Sequence, residues 1–194
     1  MPIIGSGGPR PMPPFQNMMV FIDGENLVMR FQEMCKQHAK KDTVYHHPDI
    51  FVWERSAIKP DLHNVVRATY YTYVVGTEDK ILEESEIIKS LEFNKHPDSP
   101  MPNYLQPCIF KKPSKGAKAK GVDIQLTVDI LIHTYQNNLD AVYLISGDGD
   151  YFPVIQEVVR KGKQVYLAAL SSGLNPKLKT SVDVFIDLDS VFFK

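Results

Sequence analysis

Two stretches of the chain share one pattern, in which a short apolar run ends in an aspartate and glycine turn before a helical segment. The first stretch is residues 18–26 (MMVFIDGEN) and the second is residues 141–150 (AVYLISGDGD). An unbroken apolar run of this kind is typical of a strand buried on both faces of a parallel sheet. Glycine permits the sharp turn after each strand, and Pro153 is tolerated in the first turn of the helix that follows. Both turns are therefore expected at the carboxyl edge of a sheet, where open α/β folds bind ligands.

The rest of the chain alternates between strand and helix patterns. Further strands are predicted at 68–75, 108–110, 164–170 and 182–188. Helices are predicted at 27–38, 79–94, 121–132 and 152–161, with short helices at 57–67 and within 171–181. This alternation predicts an α/β fold, an αβα sandwich with a mostly parallel central sheet.

Side-chain patterns along the chain assign faces to some of these elements. In the helix at 79–94, one side is predicted to face the core and groups Ile81, Leu82, Ile87, Ile88 and Leu91. The charges of that helix are predicted to face solvent: Glu83, Glu84, Glu86 and Lys89. The adjacent histidines His46 and His47 would point to opposite faces of an extended segment, which favours solvated or stacked rings over a metal pair.

Composition argues against a disordered chain and against a fibrous one. The 194 residues suit one α/β domain, and the net charge of -1 means that nucleic-acid binding would require a local basic patch. The two cysteines lack metal-ligand spacing, which favours a reducing, cytoplasmic setting. Residues 1–17 are rich in proline and glycine and are predicted to be a flexible arm, neither signal peptide nor membrane span, ahead of a domain at 18–194.

The segment 111–120 (KKPSKGAKAK) is strongly basic. Its proline and glycine predict a loop outside the core, which is either a mobile solvated loop or one that contacts phosphates. It leads into the helix that starts near Gly121, and Asp123 falls in the first turn of that helix, where a carboxylate suits the helix dipole. Asp129 lies six residues further and points away from Asp123, so we expect a structural role for it.

Aspartates from three separate segments are thus directed toward one edge of the sheet: Asp23, Asp123, Asp148 and Asp150. Two carboxylates ~4 Å apart repel by roughly 4 kcal/mol, so either their pKa values rise or a cation lies among them. Oxygen ligands favour Mg²⁺ or Mn²⁺, which commonly act on phosphodiesters. A simpler hypothesis is also open, since Asp23 or Asn26 could be an ordinary helix cap.

Three short motifs carry a resemblance to a known family. They are IDGEN at 22–26, KGVD at 120–123 and SGDGDY at 146–151. Together they resemble the signatures of the NYN domain, and more narrowly its LabA-like branch in the PIN-like nuclease superfamily, over residues 18–189. The resemblance implies a PIN-like sandwich and a metal-dependent ribonuclease in which a metal-activated water cleaves RNA.

The resemblance also implies roles for individual residues. Asp23, Asp123, Asp148 and Asp150 would be the catalytic acids that bind Mg²⁺ or Mn²⁺. Asn26 would orient a water or an acid, and Ser146 would support the site by hydrogen bonding. Lys120 would contact phosphate, and Lys115 and Lys118 of the same loop are further substrate-binding candidates. Tyr151 stands where phenylalanine is more usual in the family, and its ring can still pack. Residues 39–66 and 95–112 look longer than in a minimal member.

The expected partners are RNA and a divalent metal, and homo-oligomerisation is left open.

Two other functions stay open at this point. A non-catalytic RNA- or protein-binding module could use the same scaffold. A phosphatase of the haloacid-dehalogenase type is suggested by the Gly147-Asp148-Gly149 triplet. An enzyme of that class needs a second aspartate two residues after its aspartate nucleophile. In this chain the residue two positions after Asp23 is Glu25, which counts against the phosphatase hypothesis.

Overall fold

The computed structural model describes residues 15–60, 63–95, 97–99, 102–112, 114 and 121–194. In this part of the chain the strands are β1 Gln16–Asp23, β2 Tyr45–His47, β3 Phe51–Trp53, β4 His63–Val75, β5 Gln106–Lys112, β6 Ala141–Ile145, β7 Gln164–Ala169 and β8 Val184–Asp187. The α-helices are α1 Gly24–Met34, α2 Glu78–Ser90, α3 Val122–Tyr135, α4 Phe152–Arg160, α5 Pro176–Lys179 and α6 Asp189–Phe192. Short 3₁₀ turns occupy Arg55–Ala57 and Gly149–Tyr151.

Six strands form one parallel sheet in the order β5-β4-β1-β6-β7-β8. The chain builds outward from β1 in one direction through β4 and β5, then returns to the other side of β1 with β6. Strand β1 and strand β6 therefore flank the topological switch point, at whose carboxyl edge doubly wound folds bind ligands. This arrangement, with helices over the sheet, confirms the predicted αβα sandwich.

Separate apolar cores cover the two faces of the sheet. In β1, Met18, Val20 and Ile22 pack with α1 and the antiparallel β2–β3 hairpin. Met19 and Phe21 pack on the other face with α3 and α4. Burial on both faces explains why the sequence of β1 is an unbroken apolar run. Within the described residues, no helix combines the length and hydropathy needed to cross a membrane.

Strand β4 begins earlier than the sequence pattern predicted. The predicted short helix at 57–67 is wrong, because β4 already starts at His63 and only Arg55–Ala57 is helical. Strand β1 likewise begins at Gln16, two residues before the predicted start, and Gln16 pairs with His63. Each strand is extended because the other offers it backbone partners. Residues 1–14, which hold most of the predicted N-terminal arm, lie outside the described residues.

Helix α2 bears out the predicted core face only in part. Glu84, predicted to face solvent, is 2% exposed, and its Oε2 lies 3.0 Å from His47 Nδ1. Leu82 and Ile87, predicted to face the core, are 64% and 36% exposed. Ile81, Ile88 and Leu91 face the core as predicted. The buried side of the helix therefore also carries Glu84, which contacts the hairpin. The histidine rings were predicted to be solvated or stacked, and the His46 ring instead packs edge-on against Phe31 with centroids 4.9 Å apart.

Candidate active site at the carboxyl edge of the sheet

Asp23 lies at the end of β1 and is also the N-cap of α1. Its Oδ1 accepts a hydrogen bond from the backbone amide of Asn26 at 3.0 Å, and its Oδ2 accepts one from the Ser146 hydroxyl at 2.9 Å. The side chain is buried, with 2% exposure. The helix-cap hypothesis is therefore correct for Asp23, and the capping geometry also fixes the carboxylate at the switch point.

A chain of hydrogen bonds joins the turn after β1 to the turn after β6. The Asn26 side-chain oxygen accepts from the Gly147 amide at 3.0 Å. The Ser146 hydroxyl, which donates to Asp23, accepts from the Asp148 amide at 3.1 Å. The Asp148 carboxylate in turn accepts from the Asp150 amide at 3.0 Å. Asn26 and Ser146 therefore fix the backbone that presents the two downstream aspartates.

Asp123 reaches the same place from α3, where it is exposed in the first turn. The Tyr151 hydroxyl donates to its Oδ1 at 3.3 Å, and that hydroxyl is also close enough to Asp23 to interact with it. Tyr151 is buried, with 2% exposure. The sequence prediction treated this tyrosine as a packed ring, and it missed the hydroxyl that lies beside two of the acids.

The electrostatics of these acids reflect their proximity. Burial raises the pKa of Asp23 to about 7, helped by the charges of Asp123 and Asp148 and opposed by the hydrogen bonds from Asn26 and Ser146. Partial loss of solvent around its carboxyl group raises the pKa of Asp123, although the residue as a whole is exposed. The Tyr151 hydrogen bond lowers this pKa, and the charges of Asp148 and Asp150 raise it further. The charges of Asp123, Asp148 and Asp150 therefore each raise the pKa of at least one other acid at this edge.

The acids approach one another without forming a ready coordination shell. Among the described residues, no three His, Cys, Asp or Glu side chains are grouped so that they could hold a metal ion together. The four acids offer only carboxylate oxygens, the donor type that Mg²⁺ and Mn²⁺ prefer. Asp123 and Asp150 are exposed and Asp148 is half-buried, so these three side chains have room to turn toward a cation.

The model of the NYN domain family matches residues 17–189, which is most of the chain. The chain belongs to the NYN domain family. This family lies within the PIN-like nuclease superfamily, which agrees with the parallel sandwich and with the position of the acids at the switch point.

Two proteins similar to this NYN domain have no assigned function. A crystal structure of a protein of unknown function from Vibrio parahaemolyticus is similar, with a TM-score of 0.61 and 16% identity over 93% of this chain and 97% of that one. An uncharacterized protein of Methanocaldococcus jannaschii is 26% identical over 74 residues, which are 38% of this chain and 31% of that protein. The chain thus spans about a third of that curated relative, and the solved structure shows a shared fold.

A buried lysine lies beside Glu25, two residues after Asp23. Lys112, at the end of β5, is 7% exposed, and its Nζ lies 3.5 Å from Glu25 Oε1 and 3.6 Å from the Tyr73 ring centroid. This corrects the prediction that the whole segment 111–120 is a loop outside the core. Burial raises the pKa of Glu25. The positive charge of Lys112 lowers this pKa, and the negative charge of Asp123 raises it further. The pattern of basic residues gave no signal that would single out Lys112.

The other basic residues of that segment differ from Lys112. Lys111 is exposed and pairs with Glu78 at 2.6 Å. Three residues with predicted substrate-binding roles, Lys115, Lys118 and Lys120, lie outside the described residues.

Replacing Lys112 with methionine is expected to destabilise the NYN domain by about 2 kcal/mol, because it leaves the half-buried Glu25 without its cation. Urea denaturation at neutral pH would measure this loss. The double variant Lys112→Met/Glu25→Gln should recover part of the stability, since both charges are then absent. A double variant less stable than Lys112→Met would contradict the pairing.

The loop after β7 supports the turn that holds Asp148. The Asn175 amide donates to the Gly147 carbonyl at 3.0 Å. Gly149 faces the Asn175 side chain so closely that an added Cβ would lie 2.2 Å from its Nδ2. The glycines of the SGDGD motif are thus needed for close packing of this turn against a neighbouring loop as well as for its backbone shape.

Proposed function

We propose that this NYN domain, in the LabA-like branch of its family, is a metal-dependent ribonuclease. The observation that supports the proposal is the position of four aspartates in the turns after β1 and β6 and at the start of α3, where the charges of Asp123 and Asp148 raise the pKa of Asp23. Such an acidic edge is unfavourable in the absence of a cation, and cations held by carboxylates commonly serve phosphodiester chemistry.

Each residue has a proposed part. Asp23, Asp123 and Asp148 would hold Mg²⁺ or Mn²⁺, and Asp150 would complete or tune the set. A bound dication would activate a water and stabilise charge on the phosphate oxygens. Lys115, Lys118 and Lys120 would contact the phosphates of the RNA backbone. Such contacts do not depend on the nucleotide sequence.

Protonation and cation binding would compete at Asp23. Its pKa of about 7 means that the carboxyl group is partly protonated at neutral pH without a cation. A dication binds the ionised form, so its affinity should rise with pH through this range. The backbone amide of Asn26 and the Ser146 hydroxyl hold the Asp23 carboxyl group in place, whether it is protonated or ionised.

The variant Asp148→Asn is expected to lower Mn²⁺-dependent cleavage of a labelled RNA by roughly 100-fold, because it removes one charged ligand while keeping the shape of the turn. Mn²⁺ affinity, measured by calorimetry, should fall in the same variant. Asp42→Asn is the matched control, since Asp42 is exposed and pairs with Lys194 away from the acidic edge; it should cleave as wild type does. Equal cleavage by wild type and Asp148→Asn, or cleavage that a chelator leaves unchanged, would remove the proposed site.

A non-catalytic RNA- or protein-binding module is the second candidate. It is favoured by one observation, the absence of a three-residue metal-binding group among the described residues. This alternative predicts RNA binding without cleavage, unaffected by Asp23→Asn and lost when Lys111, Lys115 and Lys118 are neutralised together. Lys112 should be left unchanged in this experiment, because it is buried against Glu25 and its loss would damage the fold.

A further inference from the structure

The hydroxyl group of Tyr151 is held at a fixed point beside two of the acids. Tyr151 ends the 3₁₀ turn Gly149–Tyr151 and is the N-cap residue of α4, and its backbone amide donates to the Asp148 carbonyl at 3.3 Å. Its ring is buried in the apolar core that α3 and α4 share with the sheet. The fixed backbone and the packed ring therefore keep the hydroxyl within reach of both Asp23 and Asp123.

The direction of the Asp123 side chain depends on that hydroxyl. The carboxylate is exposed in the first turn of α3, and among the described residues the Tyr151 hydroxyl, 3.3 Å from Oδ1, is the one group that donates to it. Gly121, the N-cap residue of α3, has no side chain that could hold it. An exposed carboxylate samples several rotamers, and a hydrogen bond from a fixed donor selects one of them. Tyr151 thereby draws Asp123 toward Asp23.

A second buried tyrosine also donates to α3, but there the carboxylate has both oxygens engaged. The Tyr71 hydroxyl donates to Asp129 Oδ2 at 2.8 Å, and the Gln125 side chain donates to Asp129 Oδ1 at the same distance. Asp123 differs, because no described residue donates to its Oδ2. One oxygen of Asp123 is therefore held in place while the other stays free for a cation.

We propose that Tyr151 is a positioning residue, whose hydroxyl holds Asp123 beside Asp23 so that both acids serve one dication site. This inference rests on the proposed function only in taking the acidic edge as the place where a dication binds. A hydrogen bond that orients a metal ligand commonly changes metal affinity by about 10- to 100-fold. The ligand is then already ordered when the metal arrives, so less conformational freedom is lost on binding.

The first test is the Mn²⁺ affinity of the full-length chain, measured by calorimetry at pH 8. Tyr151→Phe keeps the buried ring and removes only the hydroxyl, and it should weaken Mn²⁺ binding by about 10-fold. Tyr71→Phe is the matched control, because it removes the hydroxyl of the other tyrosine that donates to α3. This control should bind Mn²⁺ as the wild type does. Thermal melts with chelator present would show that both variants are folded.

A double-mutant cycle tests whether Tyr151 acts through Asp123. Asp123→Ala removes the carboxylate that the hydroxyl orients, so adding Tyr151→Phe to that variant should cause no further loss of Mn²⁺ affinity. Losses that add in the double variant would mean that the hydroxyl acts on the site in some other way, and they would overturn the inference.

Cleavage of a labelled RNA at increasing Mn²⁺ concentration gives a separate reading. The Tyr151→Phe defect should be largely relieved by excess Mn²⁺, because mass action compensates for a ligand that is only part of the time in the binding position. A defect that excess Mn²⁺ leaves unchanged, or equal Mn²⁺ affinity in wild type and Tyr151→Phe, would overturn the inference and leave the ribonuclease proposal intact. A wild type that binds no Mn²⁺ would instead remove the proposed function, and this inference with it.

Discussion

At pH 8, the metal-free Asp23→Asn variant is expected to be more stable than the wild type by about 4 kcal/mol. The Asp23 pKa rises from an ordinary value of 3.8 to about 7 in the folded protein, chiefly because the carboxyl group is buried. Ionising it in the folded state is therefore unfavourable. Asparagine has nearly the same shape, keeps an oxygen to accept from the Asn26 amide, and can donate to the Ser146 hydroxyl.

The sign of the pH dependence follows from proton binding. Between pH 3.8 and about 7 the folded wild type keeps a proton on Asp23 that the unfolded chain has released. The free energy of unfolding of the wild type therefore falls as pH rises through this window and levels off above it. The asparagine of the variant does not titrate, so the stability gap between variant and wild type should be small near pH 4, grow up to pH 7 and then stay constant.

Urea denaturation of both proteins at pH 5 and at pH 8, with chelator present, would measure this gap. Asp42→Asn serves as the control because its side chain is 92% exposed, and it should follow the wild type at both pH values. Added Mn²⁺ should reverse the order under the proposed function, since only the wild type offers a charged ligand at position 23. Parallel pH profiles for wild type and Asp23→Asn would contradict the described environment of Asp23.

Replacing Gly24 with alanine is expected to destabilise the NYN domain by about 3 kcal/mol and to displace Asp23. A Cβ at position 24 would lie 2.3 Å from Tyr70 Cε1 and 2.7 Å from the Tyr71 carbonyl oxygen. Neither group can move easily, because Tyr71 is in the central sheet and Tyr70 is held by its hydroxyl. That hydroxyl donates to the Val52 carbonyl at 3.2 Å and accepts from the Val52 amide at 3.1 Å. Helix α1 must therefore shift away from β4.

Thermal and urea unfolding would measure the loss, with Gly149→Ala as the matched control in the second aspartate turn. There the added methyl group meets the Asn175 side chain, which can turn aside at the expense of its cap on α5, so about 1 kcal/mol is expected. If Gly24→Ala proved no worse than Gly149→Ala, the close contact between α1 and Tyr70 would be refuted.

The sequence was sufficient to predict those parts of the fold that depend on patterns among neighbouring residues. The apolar runs of β1 and β6 end in glycine turns, and these predicted both the sheet and the edge at which Asp23 and Asp148 lie. The three motifs identified the family. These features succeed because a strand buried on both faces leaves an unbroken apolar run, and because a tight turn beside a helix start admits few residue types.

Contacts between distant segments account for the residues that the sequence did not explain. Glu84 is buried because His47 of the hairpin lies opposite it, and Lys112 is buried because Glu25 and Tyr73 surround it. The hydroxyl of Tyr151 matters because α3 brings Asp123 to it. In each case the partner lies at least 28 positions away along the chain, so local propensity and periodicity carry no information about the contact.

The placement of β1 at the centre of the sheet also constrains the order of folding. Its neighbour β6 is supplied by residues more than a hundred positions later, and the Asp23–Ser146 bond closes a separation of 123 residues. On the ribosome, the nascent chain must expose an apolar strand on one edge until most of the domain has been synthesised. Such long-range parallel pairing is slow, so the acidic edge is assembled late and no N-terminal fragment that ends before β6 can contain it.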